Sequence, residues 1–292
     1  MRLRWALAYC LLCPLCAAGQ DHAWWADNVQ WDGISHWKSY LVFSPAYLGP
    51  NALPIPDMST GLAPAAHSLS VEGHAHLRRG DQTLNAYLRG CYAAVPGKVA
   101  FSLEFLPVEW FTVSHALKTE RRVFHRSYDE RFATGDVYAH TWLQLLRQEK
   151  GFADMTLRVG YRFPTSNGVG AARFTDAPGY HFDLSLGHSR AAWRVFGMLG
   201  FLVWQTNQYT HVQNDALLCG LGSSWTRDRW SVEGSLRAYF GYLQNGDDPM
   251  AARVVLTRTG RPTGWRIGLE QGLLDFRYSS AFLGWCWSWK AD

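Results

Sequence analysis

Beyond its first twenty residues the 292-residue chain has no apolar run long enough to cross a bilayer as a helix. The longest, 195–204, has ten residues, about half of the roughly 20 required. Cysteine is scarce. Three of the six, Cys10, Cys13 and Cys16, crowd the N-terminus, while Cys91, Cys219 and Cys286 stand singly. That set gives neither a disulfide framework nor a metal-ligand spacing and leaves room for at most one bridge. No block of like charge occurs either. The net charge is +4, and Arg2 and Arg4 supply two of those charges. The remainder is close to neutral, so no basic patch for nucleic acid is expected.

What is present is a basic start, Arg2 and Arg4, followed by an apolar run from Trp5 to Cys16 and the small residues Ala17, Ala18 and Gly19. These are the three regions of a secretory signal peptide, so residues 1–19 are expected to be removed on export. The apolar run is too short for a membrane anchor. A lipoprotein cysteine needs small residues before it, whereas Cys13, Pro14 and Leu15 precede Cys16.

Residues 20–66 form a second region, with Trp24, Trp25, Trp31 and Trp37 followed by Pro45, Pro50, Pro54, Pro56 and Pro64. Proline lacks an amide donor and breaks both helices and central strands. The aromatic content argues against disorder. An ordered arm is expected, packed against the periplasmic end of a larger unit or inside it and available to envelope partners.

From His67 the hydrophobic period becomes two, the spacing that puts alternate strand residues on opposite faces. Along 155–163, Met155, Leu157, Val159, Tyr161 and Phe163 oppose Thr156, Arg158, Gly160 and Arg162. Similar runs cover 67–77, 83–92, 99–105, 108–115, 137–146, 180–187, 193–204, 216–225, 230–243, 252–258, 264–271 and 281–289. Short turns at 95–98 and 226–228 alternate with longer loops at 116–134, 164–179 and 205–214.

Alternation is common to soluble sandwiches and membrane barrels, so other features must separate them. Apolar residues make up 48% of the chain and aromatics 15%, yet the mean hydropathy is −0.18. Several runs reach the roughly 9–11 residues of a tilted membrane strand. Tyr92, Trp110, Tyr161, Tyr180, Trp193, Trp230 and Tyr242 lie at run ends, where aromatic girdles meet lipid headgroups. With an export signal also present, these features predict an all-β fold: a closed antiparallel transmembrane β-barrel at 67–292. About twelve strands are expected, with ten and fourteen the neighbouring even counts. Its environment would be outer-membrane lipid.

The face opposite the apolar one would line the lumen. It carries Glu72, His74, His76, Tyr87, Arg89, Trp142, Arg158, Arg162, Asp183, Arg194, Glu233, Arg237, Tyr239, Arg266 and Glu270, with Tyr138 and Trp204 on the same face. Charges of both signs either pair to fill a barrel or line a path. About twelve strands lie between filled eight-stranded barrels and wide 16- to 18-stranded porins, which suits a narrow conduit. His74 and His76 beside Glu72 have ligand chemistry, but a polar inward face accounts for them, and no metal or cofactor is assigned.

No catalytic set emerges. In Ser166-Asn167-Gly168, Pro164 stands two residues before the serine, where outer-membrane phospholipase A has its histidine. Without a base the hydroxyl is not activated. His188-Ser189 and Asp247-Asp248-Pro249 read as turns.

Gly284, Trp285, Trp287 and Trp289 resemble the C-terminal signature through which Gram-negative outer-membrane barrels engage their assembly machinery, although Lys290, Ala291 and Asp292 follow. Tyr161-Arg162-Phe163-Pro164-Thr165 is similar to a segment of outer-membrane channels linked to catabolism of phenolic compounds. Trp31-Asp32-Gly33 and Gly49-Pro50-Asn51-Ala52-Leu53-Pro54 resemble the arm of Bacteroidota barrels. The expected function is a passive channel for small amphipathic or apolar molecules. The alternative is a non-conducting barrel that serves as a subunit of a larger outer-membrane assembly.

Overall fold

The computed structural model describes residues 22–123, 130–167, 173, 175, 177–206, 210–260 and 262–291. The expected signal peptide at 1–19 lies outside them. The strands are β1 (Ala66–Arg78), β2 (Asp81–Val95), β3 (Val99–Val113), β4 (Glu130–Ala133), β5 (Val137–Leu146), β6 (Asp154–Phe163) and β7 (Gly179–Arg190). They continue with β8 (Trp193–Gln205), β9 (Gln213–Arg227), β10 (Trp230–Phe240), β11 (Met250–Arg258), β12 (Thr263–Leu274) and β13 (Ser279–Lys290). Each long strand pairs antiparallel with its sequence neighbour, and β1 closes on β13 from Ala66–Lys290 to Leu77–Ser279. The result is a closed barrel of twelve strands. Closure leaves no open edge, which lipid would not tolerate because unpaired backbone groups would find no water.

The short β4 does not add a stave. It pairs with β3 from Glu109 to Thr112, whereas β5 pairs with the other half of β3, from Val99 to Phe105. Pro107 separates the two halves. On the opposite side of β3 the ladder to β2 skips from Leu88–Phe105 to Ala86–Val108. This is a bulge, the place where a strand accommodates a residue with no amide donor. It also reverses the facing: Ala100, Ser102 and Leu106 are buried before it, Glu109, Phe111 and Val113 after it. The runs at 99–105 and 108–115 are therefore one strand with a change of parity.

Other boundaries move for local reasons. Ser114 caps a short helix, α2 (His115–Arg121), accepting from the Leu117 amide, so the strand ends before His115 and the 116–134 loop contains both a helix and β4. β10 stops at Phe240 because the Gly241 amide turns to the Asp247 carbonyl at 3.0 Å. Tyr242 thus lies just beyond the strand. The arm opens with α1 (His22–Val29), ahead of its prolines. Cys91, Cys219 and Cys286 are free thiols.

The outer face is apolar along its height. On β6 Val159, Tyr161 and Phe163 are exposed while Arg158 and Arg162 are buried, and on β8 Val195 and Leu199 point outward while Phe196 and Met198 point inward. On β13 Trp285, Trp287 and Trp289 are exposed. Apolar surface of this extent is not tolerated in water and marks a membrane-facing band.

Candidate functional site: the arm-threaded lumen

The arm occupies the lumen. α1 rests on α2 at the end of the barrel bearing the longer loops: Trp25 Nε1 donates to the Arg122 carbonyl at 3.0 Å, and Trp24 meets the His115 ring edge-on. Ser44 and Ala46 then bond to the 245–246 turn. Further in, Tyr239 donates to the Leu53 carbonyl at 3.1 Å and Arg237 to the Ile55 carbonyl at 2.8 Å. Arg194 reaches the Thr60 carbonyl at 2.8 Å, Gln144 the Gly61 carbonyl at 2.9 Å, and the Gly97 amide the Pro64 carbonyl at 3.1 Å. The chain has by then crossed to the short-turn end, where β1 begins. The arm thus runs along the bore from the long-loop end to the short-turn end.

The sequence explains how it fits. Its prolines remove amides that would otherwise need ladder partners, and wall side chains satisfy its carbonyls. Leu48, Ala52, Leu53 and Ile55 join Met198, Leu202, Trp204, Leu218, Tyr239 and Tyr278 in one apolar cluster. Gly187 and Gly220 clear the wall: a Cβ at Gly187 would strike the Thr60 carbonyl, and one at Gly220 the Met58 sulfur.

Three layers of charge surround the arm. At the loop end, buried Asp81 accepts from Arg121 Nη1 at 2.7 Å and Tyr278 OH at 2.9 Å, and also pairs with Arg173. Arg173 Nε bonds Glu109 at 2.7 Å and Nη2 bonds Thr83 Oγ1 at 2.5 Å, with the guanidinium 4.4 Å from the Phe111 ring centre. Burial works against the Arg173 charge, but Glu109 and Asp81 outweigh it and hold the group protonated above the ordinary arginine range. Asn51 of the arm donates to Glu109 and to Asn85.

The middle layer centres on Asp57 of the arm. Arg89 Nη2 lies 3.0 Å from one of its oxygens, and Arg237 Nη1 and Arg253 Nη1 lie 2.5 and 2.6 Å from the other. Wall glutamates hold two of these arginines and a neighbouring one: Glu104 binds Arg89 at 2.8 Å, Glu270 pairs with Arg237, and Glu72 is 3.4 Å from the adjacent Arg266. Nearer the wall, Arg158 pairs with Asp183 at 2.7 Å and sits 5.1 Å from the Trp142 ring centre. Arg162 pairs with Asp136 and donates to Thr175 and Ala177. In the third layer, towards the short turns, Arg194 meets Asp154 at 2.9 Å.

Two cavities lined by described residues meet at the Asp57 knot. One, about 120 Å³, is bordered by Asn51, His74, His76, Tyr87, His140 and Phe282. The other, about 280 Å³, lies towards the short turns beside Met58, Ser68, Trp142, Glu233, Ser235 and Arg266. His74 bonds Glu72 at 3.0 Å, and His76 bonds Ser280 and Asn85 at 2.7 and 3.0 Å. Asn85 and His181 line the smaller cavity, and among the described residues Asn85 Nδ2 and His181 Nε2 make no hydrogen bond, the latter standing 3.9 Å from Asp183.

The fifteen lumen candidates named from the sequence thus lie on the inner side of the wall, in or around these layers. Asp57, Arg253, Glu104, Asp81, Glu109 and Arg173 were missed. Alternation in 252–258 would have pointed Arg253 inward beside outward Val254 and Leu256. The parity reversal at Pro107 obscured Glu104 and Glu109, and no local period marks Asp57 or Arg173. Ser166 lies in a loop where its amide donates to Asp136 at 3.0 Å. Gly168 lies outside the described residues.

This architecture, a twelve-stranded barrel with an apolar exterior and a charged, arm-filled lumen, is that of an outer-membrane β-barrel. Among solved structures it is similar to an outer membrane channel from Pseudomonas putida F1, with a TM-score of 0.60 at 12% identity over 80% of this chain and 100% of that one. Weaker likenesses include the KdgM porin, at 0.47 and 9% over 75% of this chain and 99% of that one. The CymD monoaromatic hydrocarbon channel scores 0.42 at 6% over 78% of this chain and 90% of that one. At such identities the likeness is one of fold. No protein-family model matches the chain. No curated protein matches it in sequence either.

Proposed function

We propose that this protein resides in the outer membrane and lets small amphipathic or apolar molecules move passively through its lumen. The observation that carries the reading is the pair of cavities flanking Asp57, where rings (Tyr87, Phe282, Trp142) and charged groups border the same space. A lumen that served only as filling would satisfy its buried polar atoms, whereas Asn85 Nδ2, on a residue lining the smaller cavity, makes no hydrogen bond among the described residues. The P. putida structure is itself described as an outer membrane channel, which supports the class of activity. The segment at 161–165 supports a relationship to outer-membrane channels linked to catabolism of phenolic compounds, and the arm motifs support a Bacteroidota relationship; neither motif identifies a cargo.

A second reading has an observation of its own. Arg158, Arg162 and Arg194 are each paired with an aspartate, and the arm fills much of the bore, as in a non-conducting subunit of an envelope assembly. Reconstitution into liposomes with a panel of small solutes separates the two. Uptake above that of empty liposomes, altered when the Arg158–Asp183 pair is removed, supports passage. An impermeable barrel that co-purifies stoichiometrically with other envelope proteins supports the second reading and overturns the first.

A further inference from the structure

The stretch of arm inside the lumen, residues 44–64, contains one charged side chain, Asp57. It is flanked by Leu53, Pro54, Ile55, Pro56 and Met58, so the arm presents the barrel with a single carboxylate on an otherwise apolar strip. The wall answers with three guanidinium groups, from β2, β10 and β11, at 2.5 to 3.0 Å. Arginine matches a carboxylate edge through its planar fork better than lysine does. Rings orient those groups: Arg253 lies 4.5 Å and Arg266 5.0 Å from the Phe282 ring centre, and Arg89 lies 5.7 Å from that of Tyr87.

Charge accounting separates the wall from its occupant. Arg89, Arg237, Arg253 and Arg266 are held by three wall carboxylates, Glu72, Glu104 and Glu270. The fourth carboxylate in the knot belongs to the arm. Glu233 borders the larger cavity but forms no ion pair with these arginines among the described residues. A third of the Asp57 side chain still faces open space, 34% against 7 to 25% for its arginine partners. The site therefore opens to both cavities, and a solute in either one reaches it.

We propose that Arg89, Arg237, Arg253 and Arg266 form a carboxylate-binding site of the lumen, that Asp57 is its resident intramolecular ligand, and that the molecules admitted are small amphiphiles carrying one carboxylate, which exchange with Asp57. The transit step rests on the channel reading above; the binding site does not. An apolar body beside one carboxylate is the chemistry the arm itself presents. The rings bordering both cavities accommodate such a body while the arginines take its charge.

Chemical rescue tests the site. Full-length Asp57→Ala protein in detergent is expected to unfold at a lower temperature than wild type. Acetate and benzoate should restore stability in a saturable way, and acetamide, benzamide and matched chloride should not. Benzoate should bind the variant at least tenfold more tightly than it binds wild type, where Asp57 competes. Adding Arg253→Gln should abolish the rescue. If Asp57→Ala fails to fold, Asp57→Asn carries the same carboxylate-against-amide comparison, and calorimetric titration of benzoate into wild type and Arg253→Gln gives an independent reading. Equal effects of acid and amide, or carboxylate effects no larger than those of chloride, would overturn the proposal. Carboxylate binding without uptake into vesicles would sink the channel reading and leave the site standing. Uptake of neutral solutes with no carboxylate binding would do the reverse.

Discussion

Replacing Arg173 should markedly destabilise the loop end of the barrel. Its side chain is fully buried and bonds Glu109, Asp81 and Thr83, all three of them buried. Removing one partner of a buried ion pair costs about 3–5 kcal/mol, because a charge is left uncompensated in a poor solvent. Here both acids keep other donors, Asn51 for Glu109, and Arg121 and Tyr278 for Asp81. That places the expected loss for Arg173→Met, which preserves much of the apolar stem, near the lower bound of about 3 kcal/mol. Urea unfolding from lipid vesicles, followed by tryptophan fluorescence, measures it. A cycle with Glu109→Gln isolates the pair and should show a coupling of about 1–3 kcal/mol, the range for directly contacting groups. A loss under about 1 kcal/mol for Arg173→Met, or a coupling within the roughly 0.5 kcal/mol expected of independent sites, would refute the argument that this arginine closes the charge cluster.

Leu199, at mid-strand in β8 and exposed on the outer face, should tolerate arginine poorly: Leu199→Arg is expected to cost about 2–4 kcal/mol in vesicles, the midplane penalty for a barrel, and no measurable cost there would mean that this face does not contact lipid. Gly187→Val forces a side chain into the Thr60 carbonyl and is expected to cost about 1–3 kcal/mol as overpacking; unchanged unfolding would mean that the arm does not lie where the structure puts it. In a background lacking Cys91, Cys219 and Cys286, a cysteine at Ser235 beside the larger cavity should react with a small water-soluble thiol reagent while one at Val159 is shielded by lipid. Equal rates at the two positions would contradict the facing.

Period-two alternation is a local property, and it carried the barrel. On β6 each inward residue could be named from 155–163 alone, because a pleated strand turns successive side chains to opposite faces whatever lies around it. The aromatic final strand and the paucity of long apolar runs pointed to the same environment. Alternation failed where backbone geometry changed: Pro107 reverses the parity of β3, so Glu104 and Glu109 both face inward although they are five positions apart. The pairing of the lumen charges was beyond any local reading, since Asp57 meets Arg89, Arg237 and Arg253 only after the barrel has closed around the arm. Composition marked residues 20–66 as an ordered, proline-rich segment that could join no ladder. Its passage from the long-loop end through the bore was decided by tertiary contacts, because the groups that satisfy its carbonyls and its one acid come from strands up to about two hundred residues away.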